Sequence, residues 1–399
     1  MESLIGQLRL LLSLTVVLML SIWTPICNAK IVSVSAGHAG SWAEIETEGA
    51  TIYDASGAVQ GKILWSSVPP SFDYDHVFVL SNEKETSLYS KEGQEIATFP
   101  VAQADVSTAS GSVYIAALES KELTICNLSG EIVNKVEQIH STSDAYGDLF
   151  AASDGAMIAT YLRGHRIAEC LGTNETFALG EFFVALLWNK IITVNGLNGQ
   201  RFGGIKEKFD RLSACDAAVA GLGEEGLAVF TLFGEEIYRN KQLKTGPQTT
   251  LSSRGRQLIV GPLEDGTVVR LTSEIPWDNC YSNRLFSTLK EQADQSYKTK
   301  DYEIAEFQFL AAIQTAEGID DKELADTWCW VGDSRRHLHR HKGAVEAYET
   351  ALTFNPNDPN VHNGMGASCA RLGRRDDTLN AFCRAAKQGN RLAIKNLNN

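Results

Sequence analysis

Short runs in which apolar and polar residues alternate recur through the first part of the chain, and tight glycine turns separate them. One unit has apolar alternation over residues 113–116 and 123–126, then a turn over 127–130 and an outgoing segment over 131–133. Alternation with a period of two predicts a strand with one buried face, and glycine readily adopts the positive φ of a tight turn. The unit therefore predicts successive antiparallel strands.

The same unit recurs about every 35 residues, as expected for a protein built from repeated small sheets. Asn198-Gly199 and Asp265-Gly266 add strong hairpin signals. The predicted inner strands begin near Trp42, Val77, Val113, Met157, Ile191, Leu227 and Leu258. A radial arrangement protects the edges of such sheets, so residues 30–276 predict a seven-bladed β-propeller, with six and eight blades as open alternatives. Residues 31–34 are expected to supply the outer strand of the last blade and to close the ring.

Residues 111–116 followed by residues 130–132 have the sequence pattern of an NHL blade. The region therefore resembles propellers of the NHL and quinoprotein type. The chain lacks a recurrent Trp-Asp dipeptide at the blade ends and lacks the tryptophans that quinone-binding propellers carry after the turn glycine. The resemblance implies a fold, but it implies neither calcium nor quinone chemistry.

From about residue 283 the apolar spacing changes to about 3.6, which predicts helices. Small residues where two antiparallel helices touch, and a proline that ends the second helix, are typical of a tetratricopeptide repeat (TPR). The residues that carry this spacing are Trp328, Val331, Gly332, Ala344, Tyr348, Ala351 and Pro356. A later copy has Met365, Gly366, Phe382 and Ala385, and an earlier copy has Ala293, Ala305, Phe309 and Ala312. Residues 283–389 therefore predict three repeats, and residues 390–399 predict a capping helix.

The sequence thus predicts a multidomain β + α protein, in which a seven-bladed β-propeller precedes an α-solenoid of three TPRs. Pro276 disfavours helical geometry at Ile275 and suits the exit from a sheet. We expect the two regions to fold independently, with a junction near residues 276–283.

Residues 1–29 predict a cleaved secretory signal peptide. Arg9 precedes an apolar run over residues 10–22, and Cys27-Asn28-Ala29 places small residues where a signal peptidase cuts. The mature protein would be exported, to the periplasm or the extracellular space in a bacterium and into the secretory pathway in a eukaryote. An uncleaved anchor is the alternative, because residues 10–26 reach the lower length limit for a membrane span.

Charge and cysteine usage exclude several functions. The formal net charge is −13, and residues 30–280 carry all of it because residues 281–399 are neutral. An acidic propeller repels phosphates, so nucleic-acid binding is not expected, whereas a basic partner would be attracted. The 8 cysteines form no C-x-x-C pair, which argues against a zinc ribbon, a haem attachment site and a redox dithiol.

Local catalytic motifs are absent from the sequence, including the G-x-S-x-G and H-E-x-x-H patterns. The glycines at 221, 223 and 226 lie between predicted strands and are expected in a hairpin. The cluster of His337, His339 and His341 lies at the end of a predicted helix, where cations are favourable, so we expect a basic turn and no metal site. We predict no enzyme activity and no cofactor.

These observations favour a non-catalytic exported scaffold or adaptor that binds protein or peptide partners, with assembly of a cell-envelope complex as one role. Four positions of each repeat are expected to line the concave TPR groove. The groove residues are Lys290, Asp294, Tyr297, Asp326, Asp333, Arg336, Asn360 and Asn363. Cys329 and Asp333 stand where TPR domains that clamp a chaperone-tail carboxylate need Lys and Asn, so such a tail is not expected as a ligand.

The alternative function is an enzyme or small-ligand binder whose site lies in the central channel of the propeller. Two or more His, Asp or Glu side chains that converge at the channel mouth would favour this alternative. A crowded or apolar channel would favour the scaffold.

Overall fold

The computed structural model describes residues 30–65, 71–74, 77–109, 112–117, 121–137, 142–146, 149–153, 157–162, 165–171 and 176–397. The predicted signal peptide and the predicted processing after Ala29 lie outside these residues. The structure confirms the predicted fold class, a seven-bladed β-propeller followed by a TPR α-solenoid.

Seven antiparallel sheets form the blades. In each sheet the strands follow one another in chain order, from the central channel to the outer edge. Blade one has β1 (Ile31–Ala36), β2 (Trp42–Glu46), β3 (Gly49–Tyr53) and β4 (Val59–Leu64). Blade two has β5 (Ser71–Tyr74), β6 (Phe78–Ser81), β7 (Thr86–Tyr89) and β8 (Glu95–Phe99). Blade three has β9 (Asp105–Ala109), β10 (Ser112–Ala117), β11 (Glu122–Asn127) and β12 (Ile132–Glu137). Blade four has β13 (Thr142–Tyr146), β14 (Leu149–Ser153), β15 (Met157–Leu162) and β16 (His165–Leu171). Blade five has β17 (Phe177–Leu179), β18 (Phe183–Trp188), β19 (Ile191–Gly196) and β20 (Arg201–Ile205). Blade six has β21 (Arg211–Cys215), β22 (Ala218–Gly223), β23 (Gly226–Thr231) and β24 (Glu236–Asn240). Blade seven has β25 (Thr245–Arg254), β26 (Gln257–Leu263) and β27 (Val269–Leu271).

The predicted inner strands are wrong, because the first strand of each blade is the innermost one. Trp42 begins the second strand of its blade, and Ile191 lies on a third strand. The true inner strands β5, β9 and β13 are short and mix polar with apolar residues, since they line the channel. Their pattern therefore lacks the clean alternation that marks the strands outside them.

The predicted ring closure is also wrong. Residues 31–34 belong to β1, which pairs with β2 as the innermost strand of blade one. Side-chain hydroxyls of β25 make the closure instead: the backbone N–H of Val34 donates to Thr250 Oγ1 at 3.0 Å, and that of Ala36 donates to Ser252 Oγ at 2.9 Å. Within the described residues, the seventh blade has three strands.

Seven helices follow the last blade. They are α1 (Asn283–Lys298), α2 (Tyr302–Gln314), α3 (Asp321–His337), α4 (His341–Phe354), α5 (Pro359–Arg371), α6 (Arg375–Lys387) and α7 (Arg391–Leu397). They form three antiparallel pairs, and Ala393 of α7 is buried with Phe382 and Ala385 at the end of the stack. In the described residues, no helix is long and apolar enough to cross a bilayer.

One continuous apolar core joins the last three blades to the first helical pair. Leu285, Phe286 and Leu289 of α1 are fully buried together with Val219 and Val229 of blade six. Trp277, in the short 3₁₀ helix Trp277–Cys280 that links the two regions, also belongs to this core. The expectation of independently folding regions is therefore revised, because the helices share their buried surface with the propeller.

Polar contacts at the same interface fix the helices on the loops of blades five and six. The guanidinium of Arg284 lies 3.9 Å from the centre of the Phe233 ring. The side chain of Gln314 hydrogen-bonds Glu181, and burial together with the neighbouring Asp216 raises the pKa of Glu181 to about 7. The helical region is thus held at a defined place on the propeller.

We predict that Phe286→Ala destabilises both regions at once. Removing a fully buried aromatic side chain costs about 3–5 kcal/mol, and here the cavity opens in the shared core. Urea unfolding followed by circular dichroism for the helices and by protease resistance for the propeller should show the two transitions shifting together.

Leu392→Ala on α7 is the matched control, because this side chain is 63% exposed and such changes shift stability by about 0.5 kcal/mol or less. A Phe286→Ala protein whose helices unfold early while the propeller transition stays in place would contradict the shared core.

Candidate functional site

The first helices of the three pairs, α1, α3 and α5, carry all the predicted groove residues. Side-chain caps fix where these helices begin. Ser282 Oγ accepts the backbone N–H of Leu285, Asp320 accepts that of Glu323, and Asp358 accepts that of Val361. The sequence thus sets which side chains each helix presents.

Asp333 and Arg336 of α3 form one hydrogen-bonded cluster with Tyr348 of α4. Arg336 Nη2 donates to Asp333 Oδ1 at 2.7 Å, and the Tyr348 hydroxyl donates to the same oxygen at 2.7 Å. Tyr348 itself is fully buried where α4 packs against α3. Its hydroxyl nevertheless holds Asp333, a predicted groove residue, so a packing side chain fixes the position of a groove side chain.

The ring of Tyr348 is clamped between two glycines of neighbouring repeats. A Cβ atom at Gly332 would lie 2.6 Å from the ring, and one at Gly364 would lie 2.7 Å from it. Such distances are shorter than carbon atoms tolerate, so only glycine fits at either position. The approach of α3 and α5 to α4 therefore depends on both glycines.

Tyr297 belongs to an aromatic cluster at the end of α1. Its ring centre lies 4.9 Å from that of Trp330 and 5.2 Å from that of Tyr302. Burial and the nearby Asp333 carboxylate raise the pKa of Tyr297 to about 12. The side chain is neutral near pH 7 and contributes apolar surface and a hydroxyl to the groove.

Lys290, Asp294 and Asp326 lie on the facing parts of α1 and α3. Lys290 Nζ is 3.6 Å from Glu323 Oε1, which is a loose ion pair. Asp294 and Asp326 are half-buried. Burial raises the pKa of Asp326, and the neighbouring Asp358 carboxylate adds to the effect.

Asn360 and Asn363 lie apart from this cluster and contact the C-terminal helix and its cap. Asn360 Oδ1 accepts from Asn390 Nδ2 at 3.2 Å, and Asn363 Oδ1 accepts from Asn396 Nδ2 at 3.4 Å. The predicted groove residues therefore form two groups, one across α1 and α3 and one between α5 and α7.

The three clustered histidines lie in and beside the turn between α3 and α4. The ring of His337 stacks on Tyr302 at 4.3 Å and 7°, and His339 adopts the left-handed φ of 58°. Lys300 and Gly373 have positive φ at the matching turns of the other repeats. In the described residues, no group of three or more His, Cys, Asp or Glu side chains is arranged to hold a metal ion.

The propeller channel holds a second polar cluster, made by inner strands. Asp73, Asp144 and Arg254 line a cavity of about 260 Å³. Burial raises the pKa of Asp73, and it raises that of Asp144 to about 6. Two carboxylates thus converge in the channel, which is the feature expected of the alternative function.

Each of these channel side chains is already engaged by a neighbouring blade. Asp73 Oδ2 accepts from the backbone N–H of Thr108 at 2.6 Å, and Asp144 Oδ2 accepts from that of Leu179 at 2.7 Å. Arg254 donates to the carbonyl oxygens of Thr108 and Ala145 at 2.6 and 3.0 Å. The cluster therefore ties the blades together.

Comparison with known proteins finds one family match, in the helical region. The family model described as TPR repeat matches residues 332–373, from the middle of α3 to the end of α5. No curated protein matches the chain in sequence.

Two solved structures illustrate the two regions. The chain is similar to the Pan2 WD40 domain of Neurospora crassa, with 10% identity, a TM-score of 0.46, and coverage of 62% of this chain and 90% of that one. It is also similar to the OM64 TPR domain of Arabidopsis, with 18% identity, a TM-score of 0.26, and coverage of 29% of this chain and 95% of that one. We draw no functional conclusion from either structure, because the similarity is too low.

We predict that Gly332→Leu unfolds or loosens the helical stack. Its side chain would have to displace the buried Tyr348 ring, and overpacking of a helix contact costs about 1–3 kcal/mol. Thermal unfolding followed at the helical circular dichroism band measures the loss.

Gly343→Ala is the control, because its Cβ would lie at 3.4 Å from Arg335 Cδ, an ordinary contact with a flexible side chain. We expect unchanged or slightly higher stability from this variant, since alanine favours the helix. Equal melting temperatures for both variants would show that the Tyr348 clamp does not limit stability.

Proposed function

We propose that this protein is a non-catalytic, exported scaffold or adaptor that binds a protein partner through its TPR groove. One observation carries the proposal: the first helices of the three TPR pairs carry partly exposed polar side chains and the half-buried aromatic Tyr297. Stacked helical pairs offer an extended groove of this kind to peptides. Assembly of a cell-envelope complex is the role that we favour.

The shared core supports a scaffold in a further way. Because α1 and α2 are packed on blades five to seven, a partner in the groove is held at a fixed position relative to the propeller. Two binding surfaces with fixed geometry can bring two partners together without catalysis. The acidic propeller, which carries the net charge of −13, would attract a basic second partner.

A second candidate function is favoured by the channel cavity. Asp73, Asp144 and Arg254 surround about 260 Å³, which is enough for a small polar molecule, and catalytic sites in propellers draw single residues from separate blades. We rank this candidate below the scaffold, because the blade-to-blade hydrogen bonds already occupy these side chains.

We predict that the triple variant Asp294→Ala, Asp326→Ala, Asn363→Ala loses partner capture while its melting temperature stays close to that of the parent. These side chains are only half-buried, and such changes usually shift stability by about 0.5 kcal/mol each. Affinity capture from the native source, quantified by mass spectrometry, measures the loss.

Glu349→Ala, an exposed change on α4, is the control and should capture normally. Full capture by the triple variant would refute the groove as the binding site.

We also predict export with processing after Ala29. Sequencing of the N-terminus of the protein isolated from its native source should begin at Lys30, because the preceding residues have the order of a signal peptide. Recovery of chains that begin at Met1 in a membrane pellet would identify the segment as an anchor.

A further inference from the structure

The positive side chains of the predicted groove are already neutralised within the protein. Arg336 Nη2 is 2.7 Å from Asp333 Oδ1, and Lys290 Nζ is 3.6 Å from Glu323 Oε1. Neither cation is available to bind an acidic ligand without losing its partner. The charge offered to a ligand therefore depends on the remaining side chains.

Two further carboxylates of the predicted groove lie outside these two ion pairs. In the described part of the chain, neither Asp294 nor Asp326 forms a side-chain ion pair. They lie on α1 and α3, the first helices of adjacent repeats. Although residues 281–399 are neutral as a whole, both of these unpaired side chains are negative.

The surroundings of Asp326 show that this negative charge is unfavourable in the free protein. Burial and then the nearby Asp358 raise the pKa of Asp326, and the positive charges of Lys322 and Lys290 offset only part of this rise. Cys329, one turn away on α3, responds to the same field: burial and then the carboxylates of Asp333, Asp358 and Asp326 raise the pKa of its thiol. A positive group placed here would relieve the repulsion between carboxylates.

We propose that the TPR groove binds an extended peptide segment through lysine or arginine side chains, with Asp326 and Asp294 as their acceptors. This inference rests on the proposed function and specifies the chemistry of its partner. A metal ion is a poorer candidate occupant, because the described residues provide no group of ligands for one. The groove therefore selects against acidic segments by repulsion as well as for basic ones by attraction.

Photo-crosslinking with the full-length protein tests this proposal. The probes are short peptides of glycine and serine that carry a fluorophore, a benzophenone and either lysines or glutamates at the same positions. Fluorescence anisotropy measures the affinity, and mass spectrometry of the crosslinked protein locates the peptide. The lysine peptide should bind, should crosslink to α1, α3 or α5, and should weaken as salt is added.

Two double variants separate the groove from the overall charge of the protein. Asp294→Asn with Asp326→Asn should weaken the lysine peptide by about tenfold, since each exchange removes an ion-pair acceptor. Glu349→Gln with Asp376→Asn removes the same charge from the second helices α4 and α6 and should leave the affinity unchanged. Asp326→Lys should shift the preference towards the glutamate peptide.

Three results would overturn the inference. If the glutamate peptide crosslinks to the groove in preference, the groove binds peptides but the assigned charge is wrong. If both double variants weaken the lysine peptide equally, the general acidity of the protein accounts for the binding. If the lysine peptide does not bind, or crosslinks only to the propeller, both this inference and its assignment to the groove fail.

Discussion

The continuous apolar core between the last blades and the first helices determines how the rest of the protein is arranged. Phe286 and Leu289 are fully buried among side chains of the propeller, and burial of apolar surface is the main driving force for folding. The first TPR pair therefore cannot be treated as a separate unit attached by a linker. The groove therefore has a fixed orientation relative to the propeller, as the proposed scaffold requires.

Hydrogen bonds of the inner strands provide the second constraint. The ring is closed by hydroxyls of β25 that accept backbone N–H groups of β1, and Arg254 bridges carbonyl oxygens of two other blades. This arrangement buries two carboxylates, Asp73 and Asp144, and burial raises the pKa of each. A channel built in this way is explained by the cohesion of the propeller, and it does not require a ligand.

In the helical region, one buried ring links stability with the binding surface. Tyr348 fills the space left by Gly332 and Gly364, while its hydroxyl holds Asp333 at 2.7 Å. Asp333 in turn neutralises Arg336. The packing of the repeats thus decides which charges the groove presents, and among the described residues Asp326 and Asp294 form no ion pair.

The sequence by itself determined the features that depend on local spacing. The glycine turns and the period of about 35 residues specify seven similar sheets, and the small residues, Tyr348 and Pro356 specify the TPR helices, because these requirements act within one repeat. The tertiary structure alone decided features that depend on distant residues. The inner strands, such as β5, could not be recognised, since the polar channel removes their apolar alternation. The closure through Thr250, the core around Phe286 and the pairing of Arg336 with Asp333 and Tyr348 required the folded chain, because a side chain's partners are set by packing and not by its own position in a repeat.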